Sequence, residues 1–267
     1  MPDVTADAPD RDPALAPFVE RPDDAAVLLD FDGTLSPIVT DPAAARPVDG
    51  TAEVLVALAA RVRLVAVLSG RPTDFLRTVL PSEVVLSGLY GLEVVRDGRR
   101  VDHPDAGRWR HVVDEVARAS AARGPDGMVV EPKGLSLTLH YRSRPELAGA
   151  TTEWAEQQAA ASGLEARPAK MSVELHPPLP ADKGTALEAL ADGLGAVCFA
   201  GDDRGDLPAY DALDRLATRG VHTLRLAVAG AESPPELVAR ADVVLDDPHA
   251  MLAYLRRLAE AVADLRT

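Results

Sequence analysis

The sequence predicts an α/β fold: a doubly wound, mostly parallel sheet with one inserted α+β unit. Three observations carry this. Apolar runs at 25–29, 64–68 and 196–200 each end at a polar turn containing glycine, the pattern of strands buried on both faces. Stretches of helical periodicity lie between such runs, and strand–helix alternation favours parallel pairing. From about 103 to 178 the order becomes helix-strand-strand, twice over, which suits a compact unit on one antiparallel sheet.

Taken in order, residues 1–22 are rich in Pro, Ala and Asp without periodicity and read as a disordered or loosely docked tail. The run at 25–29 is the first strand. A Pro-marked loop at 36–47 leads to an amphipathic stretch at 51–61. The second strand, 64–68, ends at Ser69-Gly70-Arg71, and Pro72 suits the first turn of a helix reaching about Leu80. A third strand falls at 84–86. Runs at 92–95 and 100–101 flank Asp97-Gly98, a hairpin-turn signal. In the inserted unit, helices are expected at 109–123 and 146–162, and strands at 128–131, 135–142, 164–167 and 171–175. Pro177-Pro178-Leu179-Pro180 closes it as a stiff hinge. Then come a helix from Lys183, a strand at 196–200, a helix from about Gly205, strands at 223–228 and 242–245, and a final helix to about Leu265. The expected division is a tail at 1–22, a core at 23–102 and 179–267, and an inserted cap at 103–178.

Composition excludes several classes. With 47% hydrophobic and 26% charged residues the chain reads as a soluble globular protein. No run approaches the ~20 apolar residues of a membrane helix, and the N-terminus has no apolar signal-peptide core. A net charge of -14 argues against nucleic acid as partner. Part of that charge is local, since residues 1–24 hold seven acids and two bases. The single cysteine, Cys198, lies in an apolar strand and reads as inert packing. No disulfide can form within the chain, which fits a reducing cytoplasm.

The chemistry starts at Asp30-Phe31-Asp32-Gly33-Thr34-Leu35. Two carboxylates, two positions apart, stand where the first strand meets a glycine turn. In open α/β sheets ligands bind outside the carboxyl ends of the strands. The turn at Gly33 can give the two acids different angles, leaving room for a nucleophile and an acid/base partner. Ser69-Gly70-Arg71, Lys183-Gly184 and Gly201-Asp202-Asp203 also sit at strand ends or a helix start. Alone, each has a plain reading as a turn or a solvated lysine; their joint order does not.

That order is the one used by the haloacid dehalogenase superfamily of phosphotransferases, which the chain resembles. The resemblance implies a phosphotransferase in which Asp30 attacks phosphorus to form an aspartyl-phosphate. It implies that Asp32 protonates the leaving oxygen and later activates water. Mg²⁺ would neutralise the acids and the phosphate, held by Asp30, Asp202 and the backbone carbonyl of Asp32. Ser69, Gly70 and Lys183 would bind phosphoryl oxygens, the lysine as a point charge at a helix start. Asp203 and Asp206 fit either of two readings: acids that stabilise a first helical turn, or residues behind the metal ligands.

Within the superfamily the chain is similar to trehalose-6-phosphate phosphatases. Glu131-Pro132-Lys133 and His140-Tyr141-Arg142 match an acid-x-lysine pair followed by a His-Tyr-Arg strand. Lys170 and Glu174, with Pro177 beyond, match a Lys-x-x-x-Glu pattern leading to proline. The segment 89–93 matches as well, and the resemblance covers about residues 25 to 260. It implies that Arg71, Glu131, Lys133, Arg142, Lys170 and Glu174 contact the sugar, by charge-assisted hydrogen bonds to hydroxyls. It further implies a cap that closes over the substrate and tests its sugar while the core handles the phosphate.

Three positions depart from the family pattern. The fourth motif reads Gly201-Asp202-Asp203-Arg204-Gly205-Asp206-Leu207 where a Thr-Asp-Glu ending is usual. Tyr90 stands for a usual histidine, and His176 for a usual arginine. Hydrolysis of trehalose 6-phosphate is the leading expectation. Another sugar phosphate, such as sucrose phosphate or mannosyl-phosphoglycerate, and a catalytically silent sugar-phosphate sensor remain open. The expected partner is a small sugar phosphate, with no nucleic acid and no membrane, and the expected state is a cytoplasmic monomer.

Overall fold

The computed structural model describes residues 13–264 except 40, 170, 231 and 232. In chain order the elements are α1 (Ala16–Glu20), β1 (Ala25–Leu29), α2 (Thr51–Ala59), β2 (Leu64–Leu68), α3 (Thr73–Val79) and β3 (Val85–Gly88). The hairpin β4 (Glu93–Arg96) and β5 (Arg99–Asp102) follows. Next are α4 (Ala106–Arg123), β6 (Val129–Pro132), β7 (Leu137–His140), α5 (Ala148–Ser162), β8 (Glu165–Ala169) and β9 (Ser172–His176). The chain closes with α6 (Lys183–Leu190), β10 (Ala196–Gly201), α7 (Leu207–Thr218), β11 (His222–Val228), α8 (Pro235–Arg240), β12 (Val243–Leu245) and α9 (Pro248–Asp264).

The chain forms two compact units. One holds residues up to 68, 77–86 and those from 182 on; the other holds 69–76 and 87–181. The boundary passes through α3 and β3. In the first unit the strands run β12-β11-β10-β1-β2, all parallel. Every residue of β1, β2 and β10 is buried, as strands covered by helices on both faces must be. β1 pairs with β10 and β2 in register from Ala25↔Ala196 and Ala26↔Leu64. This brings the ends of β1 and β10 together, and the N–H of Asp30 donates to the carbonyl of Ala200 at 2.8 Å. Cys198 lies in the middle of β10, buried between its two neighbours, and burial pushes its thiol up to about 12.

The second unit carries an antiparallel sheet in the order β6-β7-β9-β8. Its core joins Trp109, Val113 and Val116 of α4 to Leu137, Leu139, Val173 and Leu175 of the sheet and to Ala155 of α5. The apolar residues of β7 and α4 recur at the strand and helix periods, which is why both faces meet in one layer.

Two stretches differ from the sequence expectation. Residues 13–20 form a helical turn and α1 rather than a loose tail. Leu15, Phe18 and Val19 are buried, and α1 packs against α9. Three apolar residues at helical spacing outweigh the surrounding prolines. Residues 1–12 lie outside the described residues. The helix α8 is not among the helices expected from sequence; it opens on Pro235, which is tolerated in a first turn.

Candidate active site

At the end of β1 the chain turns sharply. Gly33 has φ +82° and its N–H donates to the carbonyl of Ser36 at 2.7 Å. A side chain there would strike the Asp202 carboxylate, since a Cβ would lie 2.1 Å from its Oδ2. Glycine is therefore needed both for the turn and for the approach of Asp202. This juxtaposes the ends of β1 and β10, and carboxylate oxygens of Asp30, Asp202 and Asp206 lie within 4.8 Å of one another. Thr34 Oγ1 lies 3.4 Å from Asp202 Oδ1, at the long end of hydrogen bonding.

Lys183 enters from the first turn of α6. Asp182 and Thr185 fix that turn through a reciprocal capping box. The ammonium lies 2.8 Å from Asp30 Oδ1 and 2.6 Å from Asp206 Oδ1. The other Asp206 oxygen accepts the N–H groups of Asp202 and Asp203, at 2.9 and 3.0 Å. Asp203 itself caps the turn, accepting the N–H of Gly205 at 2.7 Å. Asp206 thus holds the lysine with one oxygen and the Asp202–Asp203 loop with the other.

The charge balance of this unit is incomplete. Burial pushes the Asp30 carboxyl well above its ordinary value, against the pull of Lys183. Burial, with Asp206 and Asp203 nearby, raises Asp202 to about 8. Burial lowers the tendency of Lys183 to hold its proton, but Asp206 and Asp30 outweigh it and the ammonium stays charged. Three acids and one cation, with oxygen-only donors in a confined space, are chemically matched to a hard divalent cation. The acids gathered here are Asp30, Asp202 and Asp206; Asp32 follows on the turn, half-buried, with a bridge to Ser36.

In the second unit, Ser69 is buried and its Oγ accepts the N–H of Arg71 at 3.1 Å. The Arg71 guanidinium lies 4.2 Å over the ring of Phe75. Glu131 pairs with His140 at 2.8 Å. That hydrogen bond, helped by Lys133 and Arg71, holds the Glu131 carboxyl below its ordinary value. Glu174 is buried and accepts from Lys133 at 2.9 Å, Thr138 at 3.3 Å, Tyr90 at 3.1 Å and His176 at 3.0 Å. Burial alone would raise its carboxyl, but Lys133 and His176 outweigh burial and hold it far below the usual range. Arg142 is exposed, just past β7. Lys170 lies outside the described residues.

The geometry therefore gathers Asp30, Lys183 and Asp202 in the first unit, and Glu131, Lys133, Glu174 and Arg71 in the second. Sequence reasoning did not single out Thr138, whose hydroxyl meets Glu174 across the β7–β9 pairing; strand alternation places it on the Glu131 side of β7, which was the available signal.

Comparison with known proteins gives the family and the fold. The family model described as trehalose-phosphatase matches residues 28–242. The trehalose-phosphate phosphatase of Mycobacterium avium (strain 104) is 35% identical over 252 residues, covering 88% of this chain and 62% of that protein. A protein named an uncharacterized glycosyl hydrolase from Mycobacterium tuberculosis (strain ATCC 25618 / H37Rv) is 37% identical over 209 residues, or 70% of this chain and 15% of that one. The chain thus spans from about a seventh to about three-fifths of these relatives' lengths. The solved C-terminal domain of trehalose-6-phosphate phosphatase from C. albicans superposes with a TM-score of 0.74 at 24% identity, over 93% of this chain and 96% of that one, which speaks for the fold. The chain belongs to the trehalose-phosphatase family.

Proposed function

We propose that the protein is a Mg²⁺-dependent phosphomonoesterase that hydrolyses trehalose 6-phosphate to trehalose and phosphate. The observation that carries the reading is the close set of buried Asp30, Asp206 and Lys183 with half-buried Asp202 at the ends of β1 and β10. A phosphate monoester is very slow to hydrolyse unaided, so an enzyme must position a nucleophile, neutralise phosphoryl charge and protonate the leaving alkoxide. Asp30 supplies the nucleophile: its oxygen forms a bond to phosphorus as the bond to the sugar oxygen breaks. Asp32 gives its proton to that oxygen, then takes one from the water that hydrolyses the aspartyl-phosphate, returning Asp30. Lys183, with Ser69 and Gly70, binds phosphoryl oxygens. Asp30, Asp202 and the Asp32 carbonyl would hold the Mg²⁺, which when bound offsets the charge shared by acids and phosphate.

Glu131, Lys133 and Arg71, with Arg142 and Lys170, supply the sugar-recognising set, Glu174 serves it by holding Lys133 rather than by the direct sugar contact expected from sequence, and residues 103–178 act as the specificity-giving cap. No helix among the described residues is long and apolar enough to cross a membrane. The single buried cysteine suits a reducing compartment, and we place the enzyme in the cytoplasm as a monomer.

The test is phosphate release from a panel of sugar phosphates, with and without chelator. Release from trehalose 6-phosphate in preference to glucose 6-phosphate and sucrose 6-phosphate, abolished by chelator and by Asp30→Asn, is expected. Preference for a monosaccharide phosphate, or wild-type rates in Asp30→Asn, would refute the substrate or the covalent route respectively.

A further inference from the structure

We propose that Tyr90 and His176 are positioning residues for the Lys133 ammonium, acting through Glu174, and that Tyr90 ties this cluster to the Ser69–Arg71 loop. The inference rests on the reading of Lys133 as a sugar contact. An ionised carboxylate only accepts hydrogen bonds, through about four lone-pair sites. Glu174 fills them: Oε1 accepts from Lys133 and Thr138, Oε2 from Tyr90 and His176. No lone pair is left for a sugar hydroxyl. Glu174 is thus the anchor of the set, and Lys133 is the group it presents. Among the described residues Lys133 spends one N–H bond on Glu174 and its others meet no protein acceptor, in a side chain only 11% exposed.

The same account fixes His176: facing an acceptor-only carboxylate, Nε2 must carry the hydrogen. Tyr90 stacks edge-on against it, with ring centroids 5.3 Å apart at 61°. Tyr90, in the turn at 89–91, also meets the Ser69–Arg71 loop. Its N–H donates to the carbonyl of Ser69 at 3.0 Å, and the N–H of Leu89 to that of Arg71, also at 3.0 Å. A Cβ on Gly70 would stand 2.6 Å from the Tyr90 hydroxyl. Leu89 and Tyr90 both adopt left-handed backbone, φ 48° and 59°, a conformation that costs non-glycine residues and persists where the surroundings enforce it. Tyr90 and His176 meet on one carboxylate oxygen, Glu174 Oε2, and act as a pair on it.

The experiment compares Tyr90→Phe, His176→Gln and the double variant, with kcat and KM measured separately on trehalose 6-phosphate and on p-nitrophenyl phosphate. Each single variant is expected to raise KM for trehalose 6-phosphate roughly tenfold, the scale of one hydrogen bond to a charged group, and at least fivefold more than for p-nitrophenyl phosphate. The double variant should fall short of the product of the singles, as for residues sharing one partner. Equal losses on both substrates, or multiplicative losses, would overturn the proposal. A second arm does not need turnover. Long-range proton–nitrogen spectra should show His176 as the Nε2–H tautomer, and the Lys133 ammonium signal, slowed in exchange by Glu174, should weaken in the double variant. An Nδ1–H tautomer or an unchanged Lys133 signal overturns it even if no sugar phosphate is hydrolysed, so failure of the positioning idea and failure of the functional reading are told apart.

Discussion

Asp206 and Asp202 stand four residues apart in one loop, yet Asp→Asn should cost much metal-free stability at the first and little at the second. Both Asp206 oxygens are committed, one to the Lys183 ammonium at 2.6 Å and one to two backbone N–H groups. An amide has one oxygen and one NH₂. Whichever way the amide of Asp206→Asn turned, it would set a donor against donors. Turned with its oxygen to the backbone, it forfeits a buried charge-assisted hydrogen bond, about 1.5–3 kcal/mol, and faces an ammonium. Lys183 keeps Asp30 at 2.8 Å, so the loss stops short of the upper end for a broken buried pair, about 3–5 kcal/mol. About 3 kcal/mol is expected, roughly 6–12 °C in Tm for a chain of this size. Asp202 is raised to about 8 in the metal-free protein, so at pH 7 it is mostly protonated and Asn is its near-isostere. Asp202→Asn should therefore change metal-free stability by less than about 0.5 kcal/mol, the range of ordinary substitutions. It should instead lose the stabilisation by Mg²⁺, about 1.4 kcal/mol at ten times Kd for the wild type. The assay is urea unfolding in chelator at pH 7, followed by circular dichroism. Fluorescence of Trp109 and Trp154, both in the second unit, separates that unit's transition. A loss in Asp206→Asn below about 0.5 kcal/mol, or equal losses in both variants, would refute the assigned hydrogen bonds.

Stability should also depend on pH in two windows. Asp202 and Asp30 have raised folded values, so the fold binds more protons than the unfolded chain and metal-free stability should fall from about pH 4 to about pH 8; saturating Mg²⁺ should flatten the slope, and a rise instead would contradict the assignment. Glu174 is held low, so its contribution is present above its unfolded value of 4.5 and should be lost below that, seen as an acid transition in tryptophan fluorescence that Glu174→Gln removes. Glu131→Ala or Lys133→Ala should cut turnover of trehalose 6-phosphate far more than that of p-nitrophenyl phosphate; equal losses would make these residues structural supports. Phe18→Ala should destabilise by about 3–4 kcal/mol, the usual cost of deleting a buried aromatic, because Phe18 is fully buried and its ring meets His222 edge-on; an effect under about 1 kcal/mol would show that the segment is only loosely docked.

The parts legible in sequence are those whose signal is local. Asp30, Lys183 and Asp202 are tied to strand ends and a helix start, and those punctuation points survive folding. The parallel sheet was legible because β1, β2 and β10 are continuous apolar runs. Asp206 was ambiguous because an acid in a first helical turn has a local explanation, and only the packing of α6 beside α7 brings Lys183 to it. The Glu174 cluster could not be read at all as a cluster: Tyr90 lies 84 positions from it and Lys133 41, and nothing in either neighbourhood encodes the meeting. Helix α8 and residues 13–20 were hidden by prolines, whose usual meaning as breakers fails in first turns.

The seclusion of Cys198 has a practical consequence. Its thiol is flanked by paired strands on both sides, is 1% exposed and is pushed up to about 12, so almost no thiolate is present at neutral pH. Alkylating reagents should pass the native protein by and react only when β10 separates from β1 or β11. The rate of labelling by a maleimide thus becomes a clock for the opening of the sheet's centre. Because no other sulfhydryl competes, any cysteine introduced at an exposed position would be the sole fast-reacting one, and fluorophores or spin labels could be attached there without first removing the native residue.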